Sequence, residues 1–298
     1  MFFGWDVSLW RLELLLQSWK EFVNSSYNQS SMSAKKGRNV VLIGCGNLAW
    51  HLAVRLTKLK FTISVYNHRA NKDLLRFKTL NCRTYVGLGE LDQNADIYFI
   101  CVSDSAIAKV SRSIKPQNKK AFVIHTAGAR TVDELKNASG IKAVIYPLQS
   151  FSKTDTLNWQ LIPLLIESDD KNAEKKLFTL AKSISPIVKK VSSRDRTYYH
   201  LSAVFINNFV NALHLASEEL LNENVKNADC TLLDELSIHT LEKVFAKGAR
   251  FSQTGPARRR DKVTMNAHRK LISNETSLLK VYNSLSKLIE EQGGKVEL

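Results

Sequence analysis

The feature that most constrains this chain is the stretch VVLIGCGNLAWHLA, residues 40–53. An apolar run of strand length, NVVLI (39–43), leads into Gly44, Gly46 and Ala49 in the pattern G-x-G-x-x-A. LAWHLAVRLTKL (48–59) then carries apolar residues at helical spacing. The first glycine permits a tight turn, the second lets the backbone approach a diphosphate, and the small Ala49 lets the helix pack closely on the sheet. The helix N-terminus presents unpaired N–H groups and the positive end of its dipole to the phosphates. Glycines also occur at ordinary turns, so the motif has weight only with a strand before it and a patterned helix after it, and both are present. The expectation is dinucleotide binding.

The rest of the chain supplies a sheet to hold that turn. TISVY (62–66), DIYFICV (96–102), AFVIHT (121–126), KAVIY (142–146), LIPLLIE (161–167) and PIVKKV (186–191) are further strand candidates, with helical patterns at Ser105–Ile114 and Ala173–Ser183. Near-continuous apolar strands separated by helices predict an α/β fold, a doubly wound, mostly parallel sheet of Rossmann type covered on both faces. After Ser193 the strands stop. Tyr198–Asn222, with Leu201, Val204, Phe205, Phe209, Ala212, Leu213, Ala216 and Leu220 on one stripe, predicts a long amphipathic helix, and Leu232–Gly248 and Leu271–Glu290 predict two more. The expected organisation is an extension over 1–37, a nucleotide-binding domain over 38–192 and an all-α C-terminal domain over 193–298. Residues 1–31 read as one short amphipathic helix and a polar linker, without the basic start and cleavage site of a secretory signal, and Met32 is the expected natural start.

Composition bounds the partners. At 298 residues the chain is long enough for two domains, and 44% hydrophobic with 24% charged residues is ordinary globular usage. No apolar run is long enough to span a membrane. Cys45, Cys82, Cys101 and Cys230 lie far apart with no C-x-x-C pair, which predicts neither a metal site nor a disulfide framework and fits a reducing cytoplasm. The formal charge of +15 suits a polyanionic cofactor or substrate. Nucleic acid is the weaker alternative, because the basic residues are scattered and no aromatics are interleaved with them. It would show as a steep salt dependence of affinity.

The second strand selects the dinucleotide. An NAD site places a carboxylate about 20 residues after the glycines to hold the ribose 2′-hydroxyl. Here TISVY is followed by Asn67, His68 and Arg69, with Lys72 close behind. No carboxylate repels a 2′-phosphate and a guanidinium is at hand to pair with one, so NADP is expected. A solvated basic loop is the alternative. Two later strand ends face the same crevice, Ser103-Asp104 and His125-Thr126-Ala127-Gly128. Asp104 is also an N-cap candidate for the helix after it, and His125 a packed strand histidine. In the helical half, Gly255-Pro256 starts a new element. On a helix Arg258, Asp261, Met265 and His268 would share one face, an anion-binding and proton-moving set or else a solvated face with an internal ion pair. His200 lies seven and eight residues before Asn207 and Asn208, two turns along one face, and the asparagines need partners if buried.

GCGNLAWHLA, CVSDSAI, HTAGA, YPLQSFS, YYHLSAVFINNFVNAL and TGPARRRDKVTMNAH, in this order, resemble the bacterial proteins that join a Rossmann-like domain to a helical domain of unknown function. Those proteins are similar to pyrroline-5-carboxylate reductase, deazaflavin-dependent NADP reductase and the β-hydroxyacid dehydrogenases. The resemblance covers about residues 38–290. It implies an NADP-dependent oxidoreductase, dimeric through a helical domain that closes over the nicotinamide. Gly44, Gly46, Asn47 and Leu48 would line the diphosphate turn, Asn67 and Arg69 would meet the 2′-phosphate, and Ser103, Asp104, Thr126 and Ala127 would lie toward the nicotinamide. The lysine that β-hydroxyacid dehydrogenases place one turn before an asparagine is missing, since Ala203 and Val204 stand there. That disfavours lysine-driven dehydrogenation; imine reduction has no need of the lysine. The expected activity is reduction of a small anionic carbonyl or imine compound at the interface of the two domains. Arg258 would hold the anion, with Asp261 beside it; His268 or His200 would be the proton donor, and Asn207 or Asn208 an orienting donor. A non-catalytic NADP-binding sensor or scaffold of the same fold is the alternative.

Overall fold

The computed structural model describes residues 38–293. The expected N-terminal extension, its helix and the Met32 start lie outside these residues. By contacts the described chain divides into two compact units, the first ending at Phe209 and the second beginning at Val210.

The first unit is built on an eight-stranded sheet. Its strands are β1 (Asn39–Ile43), β2 (Thr62–Asn67), β3 (Arg83–Val86), β4 (Ile97–Ile100), β5 (Phe122–His125), β6 (Ile141–Pro147), β7 (Leu164–Ser168) and β8 (Val188–Lys190), in spatial order β3-β2-β1-β4-β5-β6-β7-β8. All pairs are parallel except β6–β7, so the sheet is doubly wound with its order reversing between β1 and β4. Successive residues of β1 serve opposite faces. Val40 and Leu42 join a core with Leu52, Leu56, Phe77, Leu177 and Ile184, whereas Val41 and Ile43 join one with Tyr98, Ile107, Ile114 and Leu135. Both faces are therefore covered by helix, which is why the strands read as unbroken apolar runs. The covering helices include α1 (Asn47–Lys58), α2 (Ile107–Ser111) and α3 (Glu174–Ile184). The helix expected over Ser105–Ile114 is shorter, opening as a 3₁₀ turn at Asp104–Ala106. Strand β3 was not anticipated.

The sheet is followed by α4 (Ser193–Ala203), a π-helical segment (Val204–Phe209) and α5 (Val210–Asn224), which together form the expected long helix, started five residues early. Asn207 and Asn208 lie inside the π-helical segment, whose wider turn changes their angular spacing from His200 relative to an ordinary α-helix. Asn207 and Asn208 are exposed.

In the second unit, α5 is followed by α6 (Asp234–Lys247), α7 (Lys262–Leu271) and α8 (Thr276–Gly293). The expected single helix through Arg258 and His268 is interrupted. Pro256–Arg259 make one turn, Arg260 takes a left-handed conformation (φ 56°), and Asp261 starts α7 as its N-cap, accepting the Thr264 N–H at 3.1 Å and the Thr264 hydroxyl at 2.7 Å. Those bonds hold the Asp261 carboxyl below the usual carboxylate range. A helical face shared by Arg258 and His268 does not exist, because the chain reverses its hand between them. The expected helix from Leu271 begins only at Thr276.

Candidate functional site

The glycine turn lies at the carboxyl end of β1, beside the point where strand order reverses. Gly44 donates its N–H to the Tyr66 carbonyl at 2.8 Å, and the Cys101 N–H reaches the Ile43 carbonyl at 2.8 Å, so β2 and β4 clasp the turn from both sides. Gly44 has φ +108°, and a Cβ there would stand 2.2 Å from the Cys101 carbonyl oxygen. Glycine is required. Gly46, the N-cap of α1, has φ −70°, and a Cβ on it would meet nothing within 4 Å. Among the described residues the space above it is open. Among the described residues no side chain caps α1, and no acidic residue stands in its first turn, which leaves the N–H groups of Asn47, Leu48 and Ala49 aimed at that opening. Ala49 is fully buried against the sheet, as the motif requires. The Asn47 side chain turns the other way, donating to the Phe151 carbonyl at 2.9 Å, and His51 Nε2 meets the Ser152 carbonyl at 2.7 Å. The loop after β6 is thereby fastened along α1.

At the end of β2, Asn67 is buried and donates its side-chain amide to the Arg69 carbonyl at 2.8 Å, while its own carbonyl accepts the Gly87 N–H. Asn67 shapes the basic loop, and His68 and Arg69 stand exposed on it. Cys45 Sγ reaches Asn71 Oδ1 at 3.5 Å, which ties this loop to the glycine turn. Arg76, which no local motif singles out, stacks its guanidinium 3.9 Å above the Trp50 ring of α1. Among the described residues its Nε and Nη2 are buried without a hydrogen-bond partner. A buried, unmatched guanidinium beside an open phosphate turn fits a polyanionic ligand. Asp73 lies close to Arg76 but is paired with Lys153 at 2.7 Å.

Two strand ends complete the edge. After β4, Asp104 does not cap the following helix; it faces Arg130 at 3.6 Å, and Ser103 Oγ lies 3.5 Å from Ser105 Oγ. After β5, Thr126 is buried with its hydroxyl 3.4 Å from the Ile100 carbonyl. His125 is fully buried. Its Nδ1 accepts the Ala127 N–H at 3.2 Å, which leaves Nε2 to donate to the Thr131 carbonyl at 3.0 Å. Burial pushes its pKa down to about 4, so the ring is neutral and structural. An unfolded histidine titrates near 6.5. Between pH ~6.5 and ~4 the unfolded chain therefore binds the extra proton, and stability falls as pH falls through this window by about 3 kcal/mol. Urea unfolding at stepped pH should show this slope, and His125→Gln should flatten it.

Beyond β5 stands a pair that joins two distant segments. The Tyr146 hydroxyl, at the end of β6, hydrogen-bonds His200 Nδ1 on α4 at 3.0 Å, with the rings edge to face at 5.8 Å. A Cβ on Gly128 would fall 2.8 Å from both rings, so only glycine lets the β5 loop lie against them. Burial first, and the Asp104 charge second, raise the Tyr146 phenol above its ordinary pKa. His200 is a proton-donor candidate from the sequence; Tyr146, which ends KAVIY and begins YPLQSFS, is not. In the second unit His268 makes a similar contact, its Nδ1 3.0 Å from the Tyr282 hydroxyl, and Arg258 is half-buried. Among the described residues no cluster of side chains suits a metal ion, and no helix is long and apolar enough to cross a membrane.

Comparison with known proteins places this geometry. Residues 39–128 match the family described as NADP oxidoreductase coenzyme F420-dependent, and residues 162–289 match a domain of unknown function, DUF2520. No protein of curated function matches. Among solved structures, BF3122 of Bacteroides fragilis, provisionally named an NADP oxidoreductase, is 29% identical, with TM-score 0.79 over 86% of this chain and 98% of its own. A pyrroline-5-carboxylate reductase from Coxiella burnetii (19% identical, TM-score 0.51, 85% and 98% covered) shares the fold. So does a reductive aminase from Aspergillus terreus, solved with NADPH and ethyl-5-oxohexanoate (11% identical, TM-score 0.64, 86% and 93% covered). The chain is thus similar to NADP oxidoreductases across its glycine turn and to the DUF2520 domain from β7 onward, the same joining of a Rossmann-like domain to a helical domain of unknown function that its motifs resemble.

Proposed function

We infer that this chain is an NADP-dependent reductase of a small carbonyl or imine compound. The observation that carries the reading is the glycine turn, whose helix has no side-chain cap among the described residues, beside a basic loop without a carboxylate. The N–H groups of Asn47, Leu48 and Ala49 bind the diphosphate, and Arg69, with Arg76 behind it, pairs with the 2′-phosphate. Ser103, Asp104, Thr126 and Ala127 line the edge toward the nicotinamide, which when bound supplies a hydride. His200 and His268 each touch a tyrosine hydroxyl and are the proton-donor candidates. Arg258 is the candidate partner of an anionic substrate, with Asn207 and Asn208 as exposed orienting donors. The missing lysine leaves imine or carbonyl reduction ahead of hydroxyacid oxidation.

Calorimetry with NADPH and NADH tests the coenzyme: NADPH should bind at least tenfold tighter, and Arg69→Glu should erase most of that preference. Loss of affinity for both coenzymes alike in Arg69→Glu would remove Arg69 from the 2′-phosphate. NADPH oxidation with levulinate, cyclohexanone and 1-pyrroline tests the chemistry, and tight binding without turnover favours a sensor.

Self-association through the helical unit belongs to the same reading. Its long helices bury few residues, and Phe245, Phe251 and Leu271 are 77%, 73% and 80% exposed. Apolar surface on this scale favours a second copy as cover. Light scattering should give a dimer mass at micromolar concentration, and a monomer mass there would refute it.

A further inference from the structure

Reduction of a C=O or C=N bond needs a proton as well as a hydride, and the fold offers one hydrogen-bonded pair at the carboxyl edge of the sheet to deliver it. We propose that Tyr146 gives its phenolic proton to the substrate oxygen or nitrogen, and that His200, bonded to it at 3.0 Å, resupplies that proton. The proposal rests on the reductase reading above and names the group within it. Bound nicotinamide would supply the hydride to the substrate carbon; the electron pair that this leaves on the substrate oxygen or nitrogen takes the Tyr146 proton. The phenolate then recovers a proton from His200 Nδ1 as the ring takes one from solvent at Nε2, so that each turnover consumes one solvent proton.

Four observations converge on this pair. Tyr146 is the penultimate residue of β6, which runs parallel to β5, so its hydroxyl stands at the same edge as Thr126 and Ala127. Gly128 has no side chain, and the loop it lies in approaches both rings as no other residue would allow. The environment keeps the phenol protonated: burial and the nearby Asp104 both oppose phenolate, which suits a donor and not a base. Lastly, α4 is fixed one turn before His200, where the buried Arg196 donates to Glu167 of β7 and to the Arg130 carbonyl of the β5 loop. His268, by contrast, is bonded to Tyr282 within the helical unit. Tyr146 is thus the catalytic residue and His200 the positioning and refilling one.

The test uses the full chain with isotope-labelled histidine and glycine, followed by NMR as NADPH or adenosine 2′,5′-bisphosphate is added. NADPH should shift both the Gly46 amide and the His200 ring signals, whereas the bisphosphate, which lacks nicotinamide, should shift none of the His200 signals. A Gly46 amide that moves with NADPH while His200 stays fixed overturns the proposal and leaves the coenzyme reading standing; a Gly46 amide that never moves takes down both. Turnover is the second arm, on whichever of levulinate, cyclohexanone or 1-pyrroline is reduced. Tyr146→Phe should lower kcat by roughly 10²–10⁴-fold with KM and NADPH affinity unchanged, and His200→Gln should lower kcat less. A Tyr146→Phe protein with normal NADPH affinity and normal kcat would sink the assignment. The NMR arm decides the matter whether or not a probe turns over.

Discussion

Alanine at Gly44 and alanine at Gly46 should have opposite effects, although the glycines are two residues apart in one motif. Gly44→Ala should destabilise the protein by about 4 kcal/mol or more, because two faults coincide. The residue keeps φ at +108°, where an L side chain is strained, and the new methyl would stand 2.2 Å from the carbonyl oxygen of Cys101. That oxygen belongs to backbone at the end of β4, so nothing can swing aside. Gly46→Ala, at φ −70° with open space around it, should leave stability within about 0.5 kcal/mol of the parent. Its methyl would occupy the space that a diphosphate needs, and NADPH affinity should fall roughly tenfold or more, about 1.4 kcal/mol. Urea unfolding and calorimetry on the two variants separate the roles. If Gly46→Ala binds NADPH like the parent, the opening over α1 is not where the diphosphate rests.

Much of the sheet was legible because buried parallel strands write themselves as unbroken apolar runs. NVVLI, TISVY and AFVIHT each contain the observed strand to within a residue or two. β3 was not legible: RTYV is four residues at the sheet edge, half-exposed, with too little apolar content to stand out. Local pattern also failed where the backbone departs from the ordinary helix. A π turn over VFINNF and a left-handed Arg260 leave no composition signal, since neither uses the glycine or proline that marks such departures. The site divides along the same line. Gly44, Gly46, Ala49 and the absence of a carboxylate after β2 are local facts. Tyr146 with His200, Arg76 on Trp50 and Arg196 with Glu167 are meetings between residues 26 to 54 apart, and periodicity says nothing about which residues meet. Nothing in the local pattern of KAVIY or of SRDRTYYH marks Tyr146 or Arg196 as a residue that meets a distant partner.

Arg196 carries the second large effect. Its side chain is wholly buried, and Glu167, its partner on β7, is 20% exposed. The guanidinium donates to Glu167, to the Ser193 hydroxyl and to the Arg130 carbonyl, joining the start of α4 to β7 and to the loop after β5. Removing one partner strands the other charge away from water, so Arg196→Met or Glu167→Gln should each cost about 3–5 kcal/mol. Removing both should cost much less than the sum, because the desolvation that each single variant leaves uncompensated disappears with the pair. The double variant Arg196→Met with Glu167→Leu should therefore recover most of the lost stability in urea unfolding. Function should not follow. Arg196 also fixes Arg130, whose guanidinium lies 3.6 Å from Asp104, and it sets the pitch of the helix that brings His200 to Tyr146. A stable double variant with an altered His200 ring signal would place the value of this buried pair in aiming α4, whereas an unchanged signal would confine it to stability.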